Sequence, residues 1–571
     1  MSKKVNMSTL INNCLSRNNF IILLMSTFLV LPFNLFMNEI TILLISDLLI
    51  SLVVVAFVLN LFSFNRYVLS IVFSIFVIAN AIFFYMDYFL GVSISLSVIM
   101  AIVQTNSKEA VESLSVISYK SIPIALVFVI LPIYLSFKFK LSSEKILDSL
   151  KEKLGLLFIF ILLIFISLFT NLNKLTQDND PRGVRYIYLL LNINTEQYPI
   201  NWVYNTGKYF SINQGNFTFS DIPTKNKFSA TQKNQPFNIV LVIGETARSD
   251  RFSLGGYKRK TNPLLEKREN LVFFNNFYSC YNMTIPSVSC LLGFKKGKDF
   301  VANLDKNLTH NVESFVPIFK NANFDTFLIS SNSYKPRDPM FQRIKEINSI
   351  TYLAHSLGNK DEDLIPLLQK IIDTENKNKP NKLIILHTMG SHYKYSARYP
   401  EEFQKWSPIC SSLTDRNVTD CDKKYLDNEY DNTILYTDHI LNEIMNVLNN
   451  TNSILIYVSD HGESLGETYG DRTFYNHGTL VRPMPVEQRH IPAILWFSDM
   501  WIKNFGDKQL NNARAKKNKT LNHDFISYSM LDCAFIESKF IDKSLSLCSP
   551  VAPKTVSTSI DDSPLPKNKK K

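Results

Sequence analysis

The first 171 residues limit most strictly what this chain can become. They consist mainly of Leu, Ile, Val and Phe, in blocks separated by short polar breaks. A membrane crossing needs roughly 20 consecutive apolar residues. Five blocks approach or reach that length: residues 20–36, 42–62, 67–90, 122–137 and 154–170. The first is as apolar as the core of a signal peptide. No small-residue cleavage site follows it, so it reads as an anchor. In lipid a helix satisfies its own backbone groups within one segment, so five transmembrane helices are predicted. Arg17, Arg66, Lys138, Lys140, Lys145 and Lys151 flank them on one side, and only Lys108 and Lys120 lie in the loop 92–121 on the other. The basic side is cytoplasmic by the positive-inside rule. Five crossings from there export everything after residue 171.

The exported part has the mixed periodicity of a soluble protein. Residues 172–237 are expected to connect the two parts, where the aromatic stretch YPINWVYNTGKYF would suit the headgroup level of the membrane interface or equally form a small packed helix. Residues 238–550 read as one domain, and the Ser-, Pro- and Lys-rich residues 551–571 as a disordered basic tail. The net charge of +11 suits an anionic membrane surface. No nucleic-acid partner is expected. Of seven cysteines, Cys14 lies before the first span. The other six, Cys280, Cys290, Cys410, Cys421, Cys533 and Cys548, form three short-range pairs in the exported part. That count reads as disulfides in an oxidising compartment. A zinc-thiolate site is the rival, and no C-x-x-C spacing supports it.

Three runs in the domain are almost continuously apolar: NIVLVI at 238–243, KLIIL at 382–386 and SILIYV at 453–458. Such strands are buried on both faces, as in a parallel sheet flanked by helices. The helical spacing in YDNTILYTDHILNEIMNVLNN fits the same α/β, doubly wound pattern. In such sheets ligands bind beyond the carboxyl ends of the strands. These three end in GETARSD, HTMGSH and SDHGES, which puts Glu245, His387, His392, Asp460, His461 and Glu463 on one rim. Carboxylates and imidazoles without thiolate describe a divalent metal site suited to zinc or manganese.

A nucleophile is the next requirement. SCYNMTIPSVSCLLG (279–293) reads as a loop entering a helix, with Thr284 as N-cap and Pro286 in the first turn. A hydroxyl there faces backbone N–H groups that favour a phosphate. Metal coordination would activate it for attack. Considered alone, Thr284 is a plain helix cap before it is a nucleophile.

GETARSDRFSLGGYKRKTNP, SC…T…SVSC, HTMGSHYKYSARYP, YDNTILYTDHI and SDHGES…HG occur in that order. Together they resemble the phosphoethanolamine transferases of Gram-negative bacteria, in the alkaline phosphatase/sulfatase superfamily. The resemblance implies an N-terminal five-helix transmembrane domain plus an α/β periplasmic domain of alkaline phosphatase/sulfatase type, in the inner membrane. It implies Zn2+ held by Glu245, Thr284, Asp460 and His461, with Thr284 as nucleophile. His392 and His477 match histidines that lie beside the transferred phosphate or a second metal. Glu463 and His387 share those motifs, and His387 reads equally as a core or supporting histidine. Asn332, Ser333 and Lys335 of SNSYKP stand where relatives carry polar groups for phosphoethanolamine. Thr105 and Glu109 match membrane-side residues thought to face the lipid, although Ala101 replaces an asparagine common in relatives.

The late pair Cys533 and Cys548, with HTMGSHYKYSARYP and FQKWSPIC, looks most like the branch that modifies the Kdo sugars of Kdo-lipid A. The implied reaction takes phosphoethanolamine from phosphatidylethanolamine to lipopolysaccharide through a phosphothreonine. Transfer to lipid A phosphates, with polymyxin resistance, is the alternative. A phosphoglycerol transferase such as a lipoteichoic acid synthase, or an inactive envelope scaffold, stands further off.

Overall fold

The computed structural model describes residues 17–37, 42–90, 92, 94–104, 126–138, 198–212, 217–231, 235–302, 304–309, 312–332, 334, 338–353, 360–410, 418, 421–469, 472–479 and 484–556. The chain divides into two compact units. One comprises Met1–Ile99 with Tyr119–Ser211, and the other Met100–Ser118 with Ile212–Lys571.

In the first unit three long apolar helices follow one another, α1 (Arg17–Met37), α2 (Ile42–Leu61) and α3 (Arg66–Leu90). They cover the first three predicted spans. The fourth is helical from Leu126 to Lys138, ending in α4 (Leu131–Lys138). Residues 154–170 lie outside the described residues. Leu29, Val30, Leu59 and Val77 close the interior, while Ile71, Ile75, Ile78 and Ile82 form an exposed stripe along α3. A stripe of isoleucine facing outward is what lipid tolerates and water does not. Among the described residues, Arg66–Tyr88 is the helix long and apolar enough to cross a membrane. Buried asparagines supply the polar joints. Asn34 donates to the carbonyl of Tyr198 at 3.0 Å and accepts its N–H at 2.9 Å. Asn80 accepts from the Trp202 indole at 2.8 Å. Helix α5 (Ile200–Ile212) is thereby tied to α1 and α3, so residues 198–211 of the predicted connector pack with the helices.

The second unit is built on a seven-stranded sheet. In chain order its strands are β1 (Asn238–Gly244), β2 (Leu271–Phe273), β3 (Asp325–Ser330), β4 (Ser349–Tyr352), β5 (Lys382–His387), β6 (Ser453–Ser459) and β7 (Ala493–Phe497). Their spatial order is β2–β7–β6–β1–β5–β3–β4. The five from β6 to β4 are parallel, and β7 runs antiparallel to both its neighbours. Every residue of β1, β5 and β6 is buried, as their apolar sequences require. Register then places the site: Ile243 pairs with His387 on one side and with Val458 on the other, and Gly244 with Ser459. The residues that follow therefore emerge side by side at one rim.

Two helices matter for that rim. Helix α6 (Thr284–Leu291) is buried except at Thr284, and α7 (Lys423–Asn449) starts where Asp422 caps the Lys424 N–H. The cysteines pair as Cys280–Cys290, Cys410–Cys421 and Cys533–Cys548. Cys14 lies outside the described residues.

Candidate functional site

Glu245 leaves β1, Asp460 and His461 leave β6, and Thr284 opens α6. Glu245, Asp460 and His461 are buried and offer ligand atoms that all lie within 4.8 Å of one another. The Thr284 hydroxyl joins them, 3.3 and 3.4 Å from the Glu245 carboxylate oxygens and 3.2 Å from His461 Nε2. The helix begins one residue earlier than a cap at Thr284 would place it. Met283 is the cap residue, with extended backbone (φ −148°, ψ 146°), and Thr284 is the first helical residue. Its hydroxyl is thus turned toward the carboxylate and imidazole and not spent on the helix's own N–H groups.

Asp460 and His461 are held by backbone. Asp460 Oδ1 accepts from the N–H of Thr246 at 3.1 Å and of His461 at 2.6 Å. Its Oδ2 has no hydrogen bond and faces His461 Nε2 at 3.3 Å. His461 Nδ1 lies 2.9 Å from the Gly462 carbonyl. A carbonyl can only accept, so Nδ1 carries the proton and the Nε2 lone pair points at Thr284, Glu245 and Asp460. Ser287 joins helix to strand, donating to the Asp460 carbonyl at 2.6 Å.

The electrostatics ask for a cation. Burial, and then the neighbouring Asp460, push the Glu245 carboxyl well above its usual range; burial also raises Asp460. Burial holds the His461 imidazolium far below its ordinary value, with His477 adding to the effect. Two carboxylates, a neutral imidazole and an unpartnered buried oxygen fit a divalent metal ion.

His392 and His477 stand beside this cluster. The His477 ring is 4.2 Å from that of His461 and 6.1 Å from that of His392. His392 Nδ1 is bound to the Tyr393 carbonyl at 2.6 Å, leaving Nε2 unprotonated, and burial with the nearby Arg398 pushes its pKa down to about 3. Glu463 is fully buried with no hydrogen bond to its carboxylate, and His477 Nδ1 is 3.7 Å away. His387 sits behind Glu245, with Nε2 3.7 Å from Oε2, and burial lowers its pKa to about 4. Asn332 and Tyr334 bracket its ring. The Asn332 amide also reaches the Thr388 carbonyl at 3.2 Å. Ser333, Lys335, Thr105 and Glu109 lie outside the described residues.

Sequence reading missed several supporting groups. Asp361 accepts the N–H groups of Met389 and Gly390 at 2.7 and 2.9 Å, fixing the loop after β5. His523 bridges the Cys280 N–H and the Ser459 carbonyl. Tyr430 reaches the turn after β1 from α7. Only Tyr430 lay inside a motif already marked.

Residues 237–536 match the family model described as Sulfatase, and residues 51–213 the one described as Phosphoethanolamine transferase EptA/EptB. The chain is 29% identical over 318 residues to the Kdo(2)-lipid A phosphoethanolamine 7''-transferase of Escherichia coli, a match covering 54% of each chain. It spans about half the length of the first such relatives. Against phosphoethanolamine transferase EptA of Helicobacter pylori it is 30% identical over 437 residues, 75% of this chain and 76% of the other. The solved integral membrane protein lipooligosaccharide phosphoethanolamine transferase A from Neisseria meningitidis shares the fold. Its TM-score is 0.71 at 22% identity, covering 92% of this chain and 98% of that one. The periplasmic domain of EptC from Campylobacter jejuni is 31% identical with a TM-score of 0.50, over 60% of this chain and 100% of that one. The architecture is an N-terminal membrane domain followed by an alkaline phosphatase-like domain. With the Helicobacter pylori relative matching along three quarters of both chains, the chain belongs to the phosphoethanolamine transferase family.

Proposed function

We propose that this chain transfers phosphoethanolamine from phosphatidylethanolamine to lipopolysaccharide, with a Kdo sugar of Kdo-lipid A as acceptor, through a covalent phosphothreonine at Thr284. The observation that carries this reading is the Thr284 hydroxyl, at the opening of a helix and within 3.4 Å of both Glu245 and His461. Names of relatives support donor and acceptor: one is a phosphatidylethanolamine transferase and another acts on Kdo(2)-lipid A. Residues 1–171 would hold five membrane helices, 172–237 the connector, 238–550 the periplasmic catalytic domain and 551–571 a basic tail.

Glu245, Asp460, His461 and Thr284 would hold zinc. Bound there, the ion supplies Lewis acidity and favours the threonine alkoxide. In the first step Thr284 Oγ1 attacks phosphorus, the bond from phosphorus to the diacylglycerol oxygen breaks, and the threonine proton ends on that oxygen. His477, beside His461 and facing Glu463, is placed to carry it. In the second step the acceptor hydroxyl attacks the phosphothreonine and the Thr284–phosphorus bond breaks. His392 stays neutral at physiological pH, so its Nε2 accepts a hydrogen bond from the acceptor hydroxyl and does not serve as a phosphate-binding cation, and the acceptor's proton ends on Thr284 Oγ1. Asn332, Lys335, Thr105 and Glu109 remain proposed contacts to the lipid substrates.

The test is to incubate the full-length protein with phosphatidylethanolamine and no acceptor, then map its peptides by mass spectrometry. Phosphoethanolamine should sit on the peptide containing Thr284 and vanish in Thr284→Ala. An adduct elsewhere overturns the mechanism. In intact cells the group should be added to the Kdo region; modification confined to lipid A phosphates would replace the acceptor and leave the mechanism standing.

A further inference from the structure

The turn that follows β1 has an unusual backbone. Thr246 has φ +52°, a left-handed conformation that β-branched residues rarely adopt. Its own side chain does not explain this, since the buried Thr246 hydroxyl has no hydrogen-bond partner. What holds the turn is a set of bonds from other elements. The Glu245 carbonyl accepts from the Ser391 N–H at 2.9 Å, and the Ala247 N–H donates to the Ser459 hydroxyl at 2.8 Å. The Thr246 N–H donates to Asp460 Oδ1. The remaining two groups meet a single side chain. The Tyr430 hydroxyl donates to the Thr246 carbonyl at 2.6 Å and accepts the Arg248 N–H at 3.0 Å.

Tyr430 is completely buried on α7, its ring packed edge-on against Tyr395 at 5.2 Å. Its hydroxyl therefore has a fixed position, and it bridges the Thr246 carbonyl and the Arg248 N–H, pinning the chain on the C-terminal side of the strained residue. We infer that Tyr430 is a positioning residue: its hydroxyl holds Thr246 in the left-handed conformation that sets Glu245 and Asp460 toward Thr284. Relaxation of Thr246 to negative φ would swing its N–H away from Asp460 and rotate Glu245, its neighbour in the chain. The inference rests on the proposed metal role of Glu245 and Asp460, and it assigns the tyrosine in the motif YDNTILYTDHI a task.

Strain offers a direct test, because glycine adopts positive φ at no steric cost. Tyr430→Phe, Thr246→Gly and the double variant are made in the full-length protein. Zinc affinity is measured by chelator competition, and folding by thermal unfolding. Tyr430→Phe keeps the ring and strands the Thr246 carbonyl, and it should weaken zinc binding about tenfold. Thr246→Gly in that background should restore most of the loss, since the turn no longer needs to be forced. Unchanged zinc affinity in Tyr430→Phe overturns the inference, and so does a loss that glycine fails to rescue, which would mean the hydroxyl acts otherwise than by holding the left-handed turn. If Tyr430→Phe does not fold, recovery of folding in the double variant supports the inference and failure to recover overturns it. A wild-type protein that binds no zinc would instead sink the metal reading itself.

Discussion

Two buried carboxylates side by side destabilise a fold unless a cation or a proton offsets them, and at the rim of this sheet the pair is Glu245 and Asp460. The proton's share has a definite sign. Both carboxyls titrate above their usual range, so the metal-free folded state holds protons that the unfolded chain has released, and its stability falls as pH rises above about 4.5. His461 is depressed, so the folded state keeps it neutral. Stability from that residue is present above its usual value near 6.5 and is lost as pH falls below it. A divalent ion needs all three deprotonated, so protons and metal compete across the acidic range. The rise in Tm on adding zinc should therefore be larger at about pH 8 than at about pH 5. Equal rises at both would show that zinc does not engage these groups. Asp460→Ala should lose both the metal and the adduct on Thr284; full zinc occupancy in that variant would remove Asp460 from the ligand set.

Strands and turns decide how these side chains meet. Gly462 follows His461 where a β carbon would lie 2.0 Å from the Glu487 carbonyl oxygen and 3.1 Å from its carbon, both backbone atoms that no rotamer change can move aside. Gly462→Ala should cost about 1–3 kcal/mol of stability, as overpacking does, and should reduce zinc content by displacing His461. Wild-type Tm together with wild-type zinc content would contradict the packing argument. Runs such as NIVLVI and SILIYV were readable because residues buried on both faces leave a signal in every position. They occupy β1 and β6 as expected. Pairing direction leaves no such signal: AILWF is as apolar as its neighbours, yet β7 runs antiparallel. Thr284 showed its importance but not its place in the helix, because a cap and a first helical residue differ by one backbone conformation. Tyr430 and His523 act on residues 184 and 64 positions away. Such contacts depend on the folded sheet, and nothing local in the sequence announces them.

At the scale of the whole molecule, topology must deliver the disulfide-bearing unit to an oxidising compartment. Three disulfides, Cys280–Cys290, Cys410–Cys421 and Cys533–Cys548, all fall in the second unit. The first unit has the features of a membrane body: the outward isoleucine stripe of α3, and asparagines turned inward to Tyr198 and Trp202. Its flanking charge is lopsided, with Arg17, Arg66, Lys138 and Lys140 on one side. On the five-crossing reading proposed above, the basic flank would stay in the cytoplasm while the second unit would leave it. A reporter active only outside the cytoplasm should therefore work when fused after Lys571 and fail after Lys140, and a cytoplasm-dependent reporter should show the reverse. On that reading the first four proposed crossings would return the chain to the cytoplasmic side at Lys140, and residues 154–170 would supply the fifth. Deleting 154–170 should invert the Lys571 fusion, trapping the second unit in the cytoplasm, where its cysteines would remain reduced. An Lys571 reporter that stays active outside after that deletion would show that the count of crossings is wrong, whatever the chemistry at Thr284.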